Sequence, residues 1–251
     1  MKLIEAKNYQ DMSLKAAEII QSVLANKPDA VLGLATGGTV LGPYEILIAK
    51  YEEDSLSFKK ASSVNLDEYV GLPSDHPNSY YYYMNENLFK HVDFSANQTH
   101  LPNGVADDIE KESERYENLI DGLGGIDLQL LGIGENGHIG FNEPGTPFDS
   151  ATHKVKLTES TRAANARYFD SINEVPAHAI TMGIGSIMKS KQILLLASGV
   201  KKAGILEKIV HEEISEEIPA TILKQHGNVI IIADQDALSK LNSAHKQLLN
   251  T

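Results

Sequence analysis

A glycine-rich segment in the middle of the chain, GIGENGHIGFNEPG over residues 132–145, contains groups that can transfer protons. His138 and Glu143 are five residues apart with glycines between them, a spacing that lets loop residues fold back on each other. A carboxylate that orients and charges a histidine makes a proton shuttle near neutral pH. A structural turn would explain the glycines, but not why histidine, two glutamates and two asparagines share it. We therefore favour a catalytic role.

Other chemistries fit this segment less well. A metal site would need more ligands, and the sequence has no H-x-H or H-E-x-x-H pattern and no cysteine. A serine nucleophile would be expected in a G-x-S-x-G turn, which is also missing. Proton transfer by side chains is the interpretation that these residues favour.

A second pair of acids, Asp67 and Glu68, directly follows a predicted buried strand at residues 61–66. A carboxyl group among apolar neighbours such as Leu66 and Tyr69 has a raised pKa and can act as a general base. The alternative is that an acid here caps the next helix. The sequence leaves open which of the two faces inward.

Two further segments are suited to bind an anion. Thr36, Gly37, Gly38 and Thr39 follow a predicted strand and precede a helix, an arrangement whose amide groups and helix dipole can hold a phosphate. It is neither a dinucleotide fingerprint nor a P-loop, and a plain tight turn is the alternative.

The segment SGVKK places Lys201 and Lys202 near the start of another helix, where cations are unfavourable unless an anion is bound. Solvated lysines are the alternative explanation. Arg167 could supply a third, bidentate contact, although a lone arginine on a helix is usually solvated.

These segments need a scaffold that brings them together. Near-continuous apolar runs at residues 30–35, 61–66, 126–134, 191–197 and 228–234 predict buried strands, with a weaker candidate at residues 178–184. Helical patterns lie between them, at residues 14–25, from Gly42-Pro43 onward and at residues 107–121. The alternation predicts an α/β fold with an open, mostly parallel, Rossmann-like sheet and helices on both faces. In such folds ligands bind beyond the carboxyl ends of the strands, where the polar segments fall.

Length and charge set the remaining limits. The 251 residues fit one α/β domain spanning 1–251, and no repeat or linker divides them. The formal net charge of -12 disfavours nucleic acid as a partner but permits an anionic small molecule in a locally positive pocket. No signal peptide or membrane span is evident, so we expect no membrane association and a cytoplasmic protein.

The segments LATGGT, VNLDEYVGL, HPNSYYYYM, GIGENGHIGFNEPG, TRAANARYF and SGVKKA, in this order, resemble the glucosamine-6-phosphate deaminase family over essentially the whole chain. The resemblance implies conversion of glucosamine 6-phosphate and water to fructose 6-phosphate and ammonia, without metal or nucleotide. It implies that Asp67 moves a proton from C2 to C1, and that His138, oriented by Glu143, opens the sugar ring. Phosphate binding is then expected from Thr36, Gly37, Gly38, Thr39, Arg167 and Lys202.

The sequence departs from the family pattern in two places. Asn136 stands where some relatives have aspartate, so His138 should depend mainly on Glu143 and have a lower pKa than in those relatives. His153 and Val155 stand where hexameric, allosteric relatives have basic residues. We therefore expect a non-allosteric protein and favour a monomer over a hexamer.

Two rival functions are disfavoured. The 6-phosphogluconolactonases share the expected fold, but lactone hydrolysis needs no carbon-acid base such as that expected in LDEYVGL. A non-catalytic sugar-phosphate sensor of the kind found in transcriptional regulators would need a helix-turn-helix segment, for which the chain has no spare residues.

Overall fold

The structure, a computed structural model, describes residues 1–249. Its main sheet contains seven parallel strands in the order β1-β10-β9-β6-β2-β3-β5. The strands are β1 (Lys2–Ala6), β2 (Val31–Leu34), β3 (Ser62–Asn65), β5 (Thr99–His100), β6 (Leu128–Leu131), β9 (Ile193–Ala197) and β10 (Val229–Asp234). The order reverses at β2, which lies between β3 and β6, so a crevice is expected at the carboxyl ends of these strands.

The central strands are buried along their whole length. Every residue of β2, β6 and β9 is buried, and successive side chains of a strand point to opposite faces of the sheet. Both faces are therefore covered, as the near-continuous apolar runs predicted. The helices are α1 (Tyr9–Asn26), α2 (Gly38–Glu52), α3 (Tyr80–Asn87), α4 (Ile109–Gly122), α5 (Glu159–Asn165), α6 (Ile184–Met188), α7 (Ala203–His211) and α8 (Ser243–Leu248).

The predicted fold class is confirmed, with corrections in detail. Helix α2 begins at Gly38 rather than at Gly42-Pro43, so Pro43 lies inside the helix, where it cannot donate a helical hydrogen bond. Helix α1 begins before the predicted residue 14 because the Asn8 side chain accepts from the Asp11 amide.

A second, smaller sheet was not predicted. It consists of β4 (Asp67–Tyr69), β8 (His178–Thr181) and β7 (His153–Lys156), paired antiparallel in the order β4-β8-β7. The candidate strand at residues 178–184 therefore lies outside the main sheet. Only Leu66 separates β3 from β4, and it joins the two sheets: its amide donates to Leu34 of β2, and its carbonyl accepts from Met182. Within residues 1–249 no helix is long and apolar enough to cross a membrane.

Candidate active site

A cavity of about 500 Å³ opens at the carboxyl ends of β2, β3 and β6. It brings together polar segments that lie far apart in sequence. Nine of the ten residues predicted for the site line it, and Glu143 lies directly behind His138. The nine are Thr36, Gly37, Gly38, Thr39, Asp67, Asn136, His138, Arg167 and Lys202.

The two adjacent acids face different surroundings because they lie on a strand, where successive side chains alternate. Asp67 lines the cavity with only 7% of its surface exposed. Glu68 instead accepts hydrogen bonds from the amides of Tyr80 and Tyr81, both at 2.9 Å, and so caps helix α3. Both alternatives left open by the sequence therefore occur, one for each acid. The N-cap position of α3 is filled by Ser79, whose side chain accepts from the Tyr82 amide.

The surroundings of Asp67 favour the neutral form of its carboxyl group. Burial, and to a smaller degree the negative charge of Glu68, raise its pKa from 3.8 to about 8. A carboxyl group with this pKa can take up and release a proton near neutral pH, as a general base must.

This raised pKa has a consequence for stability. Between pH 4 and pH 8 the unfolded chain loses the Asp67 proton while the folded chain keeps it, so the free energy of unfolding falls as pH rises. Asp67→Asn removes this dependence. We expect the variant to match the wild type near pH 4 and to exceed it above pH 8 by on the order of 5 kcal/mol. Urea unfolding of both proteins across this range tests it; parallel pH curves would contradict the raised pKa.

The glycine-rich segment forms a tight loop after β6. Gly134 packs against the His138 ring so closely that an added Cβ would lie 2.3 Å from the ring carbon Cε1. Gly137 has a φ of +90°, which side chains disfavour. These two glycines allow the loop to turn His138 into the cavity, so the glycine content and the histidine are parts of one arrangement.

The Glu143 carboxylate lies behind His138 and divides its contacts between its two oxygens. Oε2 lies 3.5 Å from His138 Nδ1 and accepts from Asn136 Nδ2 at 2.6 Å. Oε1 accepts from the hydroxyl of Thr161. Burial favours the neutral form, but the interactions with His138, Thr161 and Asn136 outweigh it and lower the Glu143 pKa to about 2. The carboxylate is therefore charged where it faces His138.

Asn136 acts on this pair through Glu143. Its amide donates to Glu143, and its oxygen accepts from the main-chain N–H of His138 at 3.2 Å. These hydrogen bonds join Asn136 to the carboxylate and to the main chain rather than to the imidazole ring.

We predict that Asn136→Asp retains activity and moves the basic limb of the pH profile upward. An aspartate at residue 136 would place a second carboxylate beside that of Glu143. The added negative charge would stabilise the imidazolium of His138. The pH dependence of kcat in the variant and the wild type measures the shift. An unchanged basic limb would mean that charge at residue 136 is not transmitted to His138.

The segment predicted to bind an anion precedes helix α2. Gly37 has a φ of +99°, and α2 begins at the next residue. The N-terminus of α2, with its free amide groups, therefore lies at the cavity. Two tyrosines hold this turn: Tyr83 donates to the Gly37 carbonyl at 2.8 Å and Tyr9 donates to the Gly38 carbonyl at 3.0 Å. The plain-turn alternative does not account for the cavity at its surface.

Two positively charged side chains, Lys202 and Arg167, also line the cavity. Lys202 ends a short 3₁₀ turn before α7, and Arg167 lies in the 3₁₀ turn that follows α5. Burial lowers the pKa of the Lys202 ammonium; Glu135 opposes this shift, and the charges of Lys201 and Arg167 add to it. A bound anion would relieve the repulsion between these cations. Lys201 does not line the cavity, as expected for the solvated lysine of the pair.

Sequence reasoning missed the aromatic wall of the cavity. Tyr80 and Phe141 line it with their rings stacked at 6.1 Å between centroids, and Tyr69 packs against both. A run of four tyrosines does not show by itself which of them face the cavity. Tyr80 and Tyr83 are three residues apart on α3 and therefore share the face toward the cavity.

Taken together, the fold and the site define an open α/β enzyme that moves protons on a small anionic substrate. Residues 5–231 match the family described as glucosamine-6-phosphate isomerases/6-phosphogluconolactonase. The chain belongs to this family.

The chain is also similar to individual proteins. The chain is 60% identical over 239 residues to the glucosamine-6-phosphate deaminase of Geobacillus sp. (strain WCH70), covering 95% of each chain. It is 54% identical to glucosamine-6-phosphate deaminase 1 of Bacillus subtilis (strain 168), covering 95% of this chain and 99% of that one. A solved structure of a monomeric glucosamine-6-phosphate deaminase superposes with a TM-score of 0.94 at 53% identity, covering 96% of this chain and all of that one. The 6-phosphogluconolactonase of Trypanosoma cruzi shares the fold, with a TM-score of 0.77 at 19% identity.

Proposed function

We infer that this chain is a glucosamine-6-phosphate deaminase, which converts glucosamine 6-phosphate and water to fructose 6-phosphate and ammonia. One observation carries the inference from the site: a buried carboxyl group and a carboxylate-paired histidine face the same cavity, which also contains two cations. An aldose–ketose conversion needs a base at the carbon acid and a proton shuttle at the ring oxygen. Lactone hydrolysis needs no base of the first kind.

Asp67 is the base in this proposal. After the ring has opened, its carboxylate removes the C2 proton, the electron pair moves toward the C1 aldehyde, and O1 takes back the proton that His138 had removed from the C1 hydroxyl, which gives an enolamine. Asp67 then returns the proton to C1, leaving an iminium group at C2. Water adds to C2, one of its protons moves to the nitrogen and the other returns to His138 as the C–N bond breaks to release ammonia, so the reaction consumes one water and gives one ammonia for each fructose 6-phosphate. The raised pKa suits a group that must both accept and donate this proton.

His138 opens the ring by giving a proton to the ring oxygen and taking one from the C1 hydroxyl. Glu143 supports this role because its charged carboxylate lies 3.5 Å from Nδ1 and its position orients the ring. Asn136 holds the same carboxylate oxygen and so completes the support.

The phosphate is held by Thr36, Gly37, Gly38 and Thr39 together with Arg167 and Lys202. The start of α2 provides amide groups and the favourable end of the helix dipole, and the two side chains provide charge. Anchoring the substrate at this remote group orients C1 and C2 against Asp67.

We predict that Lys202→Met raises KM for glucosamine 6-phosphate by about 10- to 100-fold, because a hydrogen bond to a charged group is lost. The effect on kcat should be smaller, since the phosphate is bound throughout the reaction. Lys201→Met is the matched control and should leave KM unchanged. Steady-state ammonia release measures both variants; equal effects of the two substitutions would remove Lys202 from the phosphate site.

The activity itself is tested by giving glucosamine 6-phosphate to the purified protein and measuring ammonia and fructose 6-phosphate in parallel. Release of both in equal amounts supports the proposal. Absence of ammonia together with hydrolysis of 6-phosphogluconolactone would instead assign the site to the other activity named in the family description.

The proposal includes a monomeric, non-allosteric protein in the cytoplasm. A monomer is supported by the similarity to the structure described as monomeric. A cytoplasmic location follows from the substrate, because a charged sugar phosphate does not cross a bilayer unaided. Light scattering at the concentrations used for the assay measures the oligomeric state, and a hexamer with sigmoidal kinetics would overturn this part.

A further inference from the structure

Helix α5, which leads to Arg167, also places hydroxyl groups beside Glu143. Thr161, which lines the cavity and is 7% exposed, donates its hydroxyl hydrogen to Glu143 Oε1. Thr158 lies 3.0 Å from the Thr161 hydroxyl oxygen and can donate to it, and its own oxygen accepts from the Thr161 amide at 3.2 Å. The Thr158 oxygen is also 3.3 Å from Glu143 Oε1. The Thr161 hydroxyl is therefore the donor to Oε1, and the N-cap residue Thr158 supports it from the start of α5.

The division of contacts on Glu143 gives these hydroxyls a function. A carboxylate has two oxygens and can rotate, so a donor on one oxygen fixes the direction of the other. With Oε1 held by Thr161, Oε2 is directed at His138 Nδ1 and Asn136. Without that donor, Glu143 would retain Asn136 as a strong partner and could turn away from the imidazole, which is already 3.5 Å distant.

We propose that Thr161 is a positioning residue for ring opening, which directs Glu143 at His138 from the helix that leads to Arg167. The inference rests on the proposed deaminase function. Thr161 and Arg167 lie at the two ends of the segment TRAANAR, so the segment that places the phosphate-binding arginine also fixes the orientation of Glu143.

Two substitutions of Thr161 separate the hydroxyl from the packing of the side chain. Thr161→Val keeps the shape and removes the donor, whereas Thr161→Ser keeps the donor and removes a methyl group. We expect the valine variant to lower kcat by about tenfold, the effect of one lost hydrogen bond to a charged group, with KM within about twofold of the wild type. The serine variant should retain kcat within about threefold.

A double variant shows whether Thr161 acts through Glu143. Glu143→Gln alone lowers kcat, and adding Thr161→Val to it should lower kcat by less than about twofold further, because residues that act as a unit are not additive. If the valine variant fails to fold by circular dichroism, Thr161→Ala replaces it, since alanine also lacks the hydroxyl.

The outcomes are distinct. A loss restored by serine and absent in the Glu143→Gln background supports the proposal. Equal activity of the valine and serine variants, an effect on KM alone, or multiplication of the two losses overturns it. Absence of ammonia release from the wild-type protein would instead mean that the proposed function has failed.

Discussion

Asp67→Asn is expected to lower kcat for ammonia release by about 10³-fold, since general base catalysis contributes about 10²- to 10⁴-fold. Asparagine has nearly the same shape as the acid but cannot accept the C2 proton. KM should change little, because the phosphate site lies elsewhere in the cavity. In the wild type, kcat/KM should fall as pH decreases below about 8, because the free enzyme then holds Asp67 in the neutral form that cannot act as a base. This acidic limb should be absent from the residual activity of the variant.

Glu68→Gln is the matched control for this experiment. It makes the same acid-to-amide change at the adjacent residue, whose side chain caps α3 rather than facing the cavity. Tyr80 and Tyr81 donate to different oxygens of Glu68, so glutamine keeps one of these two acceptors, and the loss of activity should be much smaller than in Asp67→Asn. If Asp67→Asn kept activity within tenfold of the wild type, or if Glu68→Gln lost more than Asp67→Asn, the base would have to be another group.

His138→Asn is expected to lower kcat by about 10²- to 10⁴-fold, because protonation of the ring oxygen would then depend on water. The remaining route is capture of the open-chain sugar that forms spontaneously in solution. The residual rate should therefore stop rising once enough variant enzyme is added, since spontaneous ring opening then limits the reaction. Ammonia release at increasing enzyme concentration measures this ceiling, which neither the wild type nor Asp67→Asn should show.

Two further variants define what the His138 result means. His91→Asn changes an exposed histidine that does not line the cavity, and it should behave as the wild type. Glu143→Gln should lose less than His138→Asn, on the order of tenfold, because it removes the orienting charge but not the shuttle itself. A residual His138→Asn rate that stays proportional to enzyme concentration would argue that ring opening occurs at another residue.

The sequence was sufficient to predict five of the seven strands of the main sheet and the place of the site, because both depend on local patterns, whereas the two edge strands β1 and β5 were not predicted. Long apolar runs identify buried parallel strands without any knowledge of their partners. Polar segments such as Thr36–Thr39 and Lys201–Lys202 follow those strands directly, so the rule for the carboxyl ends of parallel strands brings them together. The cavity has the predicted residues on its walls for this reason.

The remaining features depend on contacts between distant residues. The direction of Asp67 follows from the pairing of β4 with β8, which no pattern near residue 67 encodes. Strands β4 and β7 are three and four residues long, too short for alternation to distinguish them from loops. Pro43 predicted a helix start but lies inside α2. The amide of the preceding Gly42 donates to the hydroxyl of Tyr9, a residue distant in the chain, and no local pattern shows this contact. The role of Thr161 depends on a hydroxyl contact to a loop eighteen residues earlier in the chain.

The one-residue junction at Leu66 also affects how the enzyme is made. Asp67 leaves the ribosome well before His178–Thr181, the strand that β4 must pair with, because chains are synthesised from the N-terminus. Until β8 has emerged, the nascent chain carries this carboxyl group in water, where its pKa is ordinary and it is ionised. The Asp67 carboxyl group is therefore buried only when the later half of the chain docks, and the raised pKa that comes with burial means that this docking takes up a proton near neutral pH.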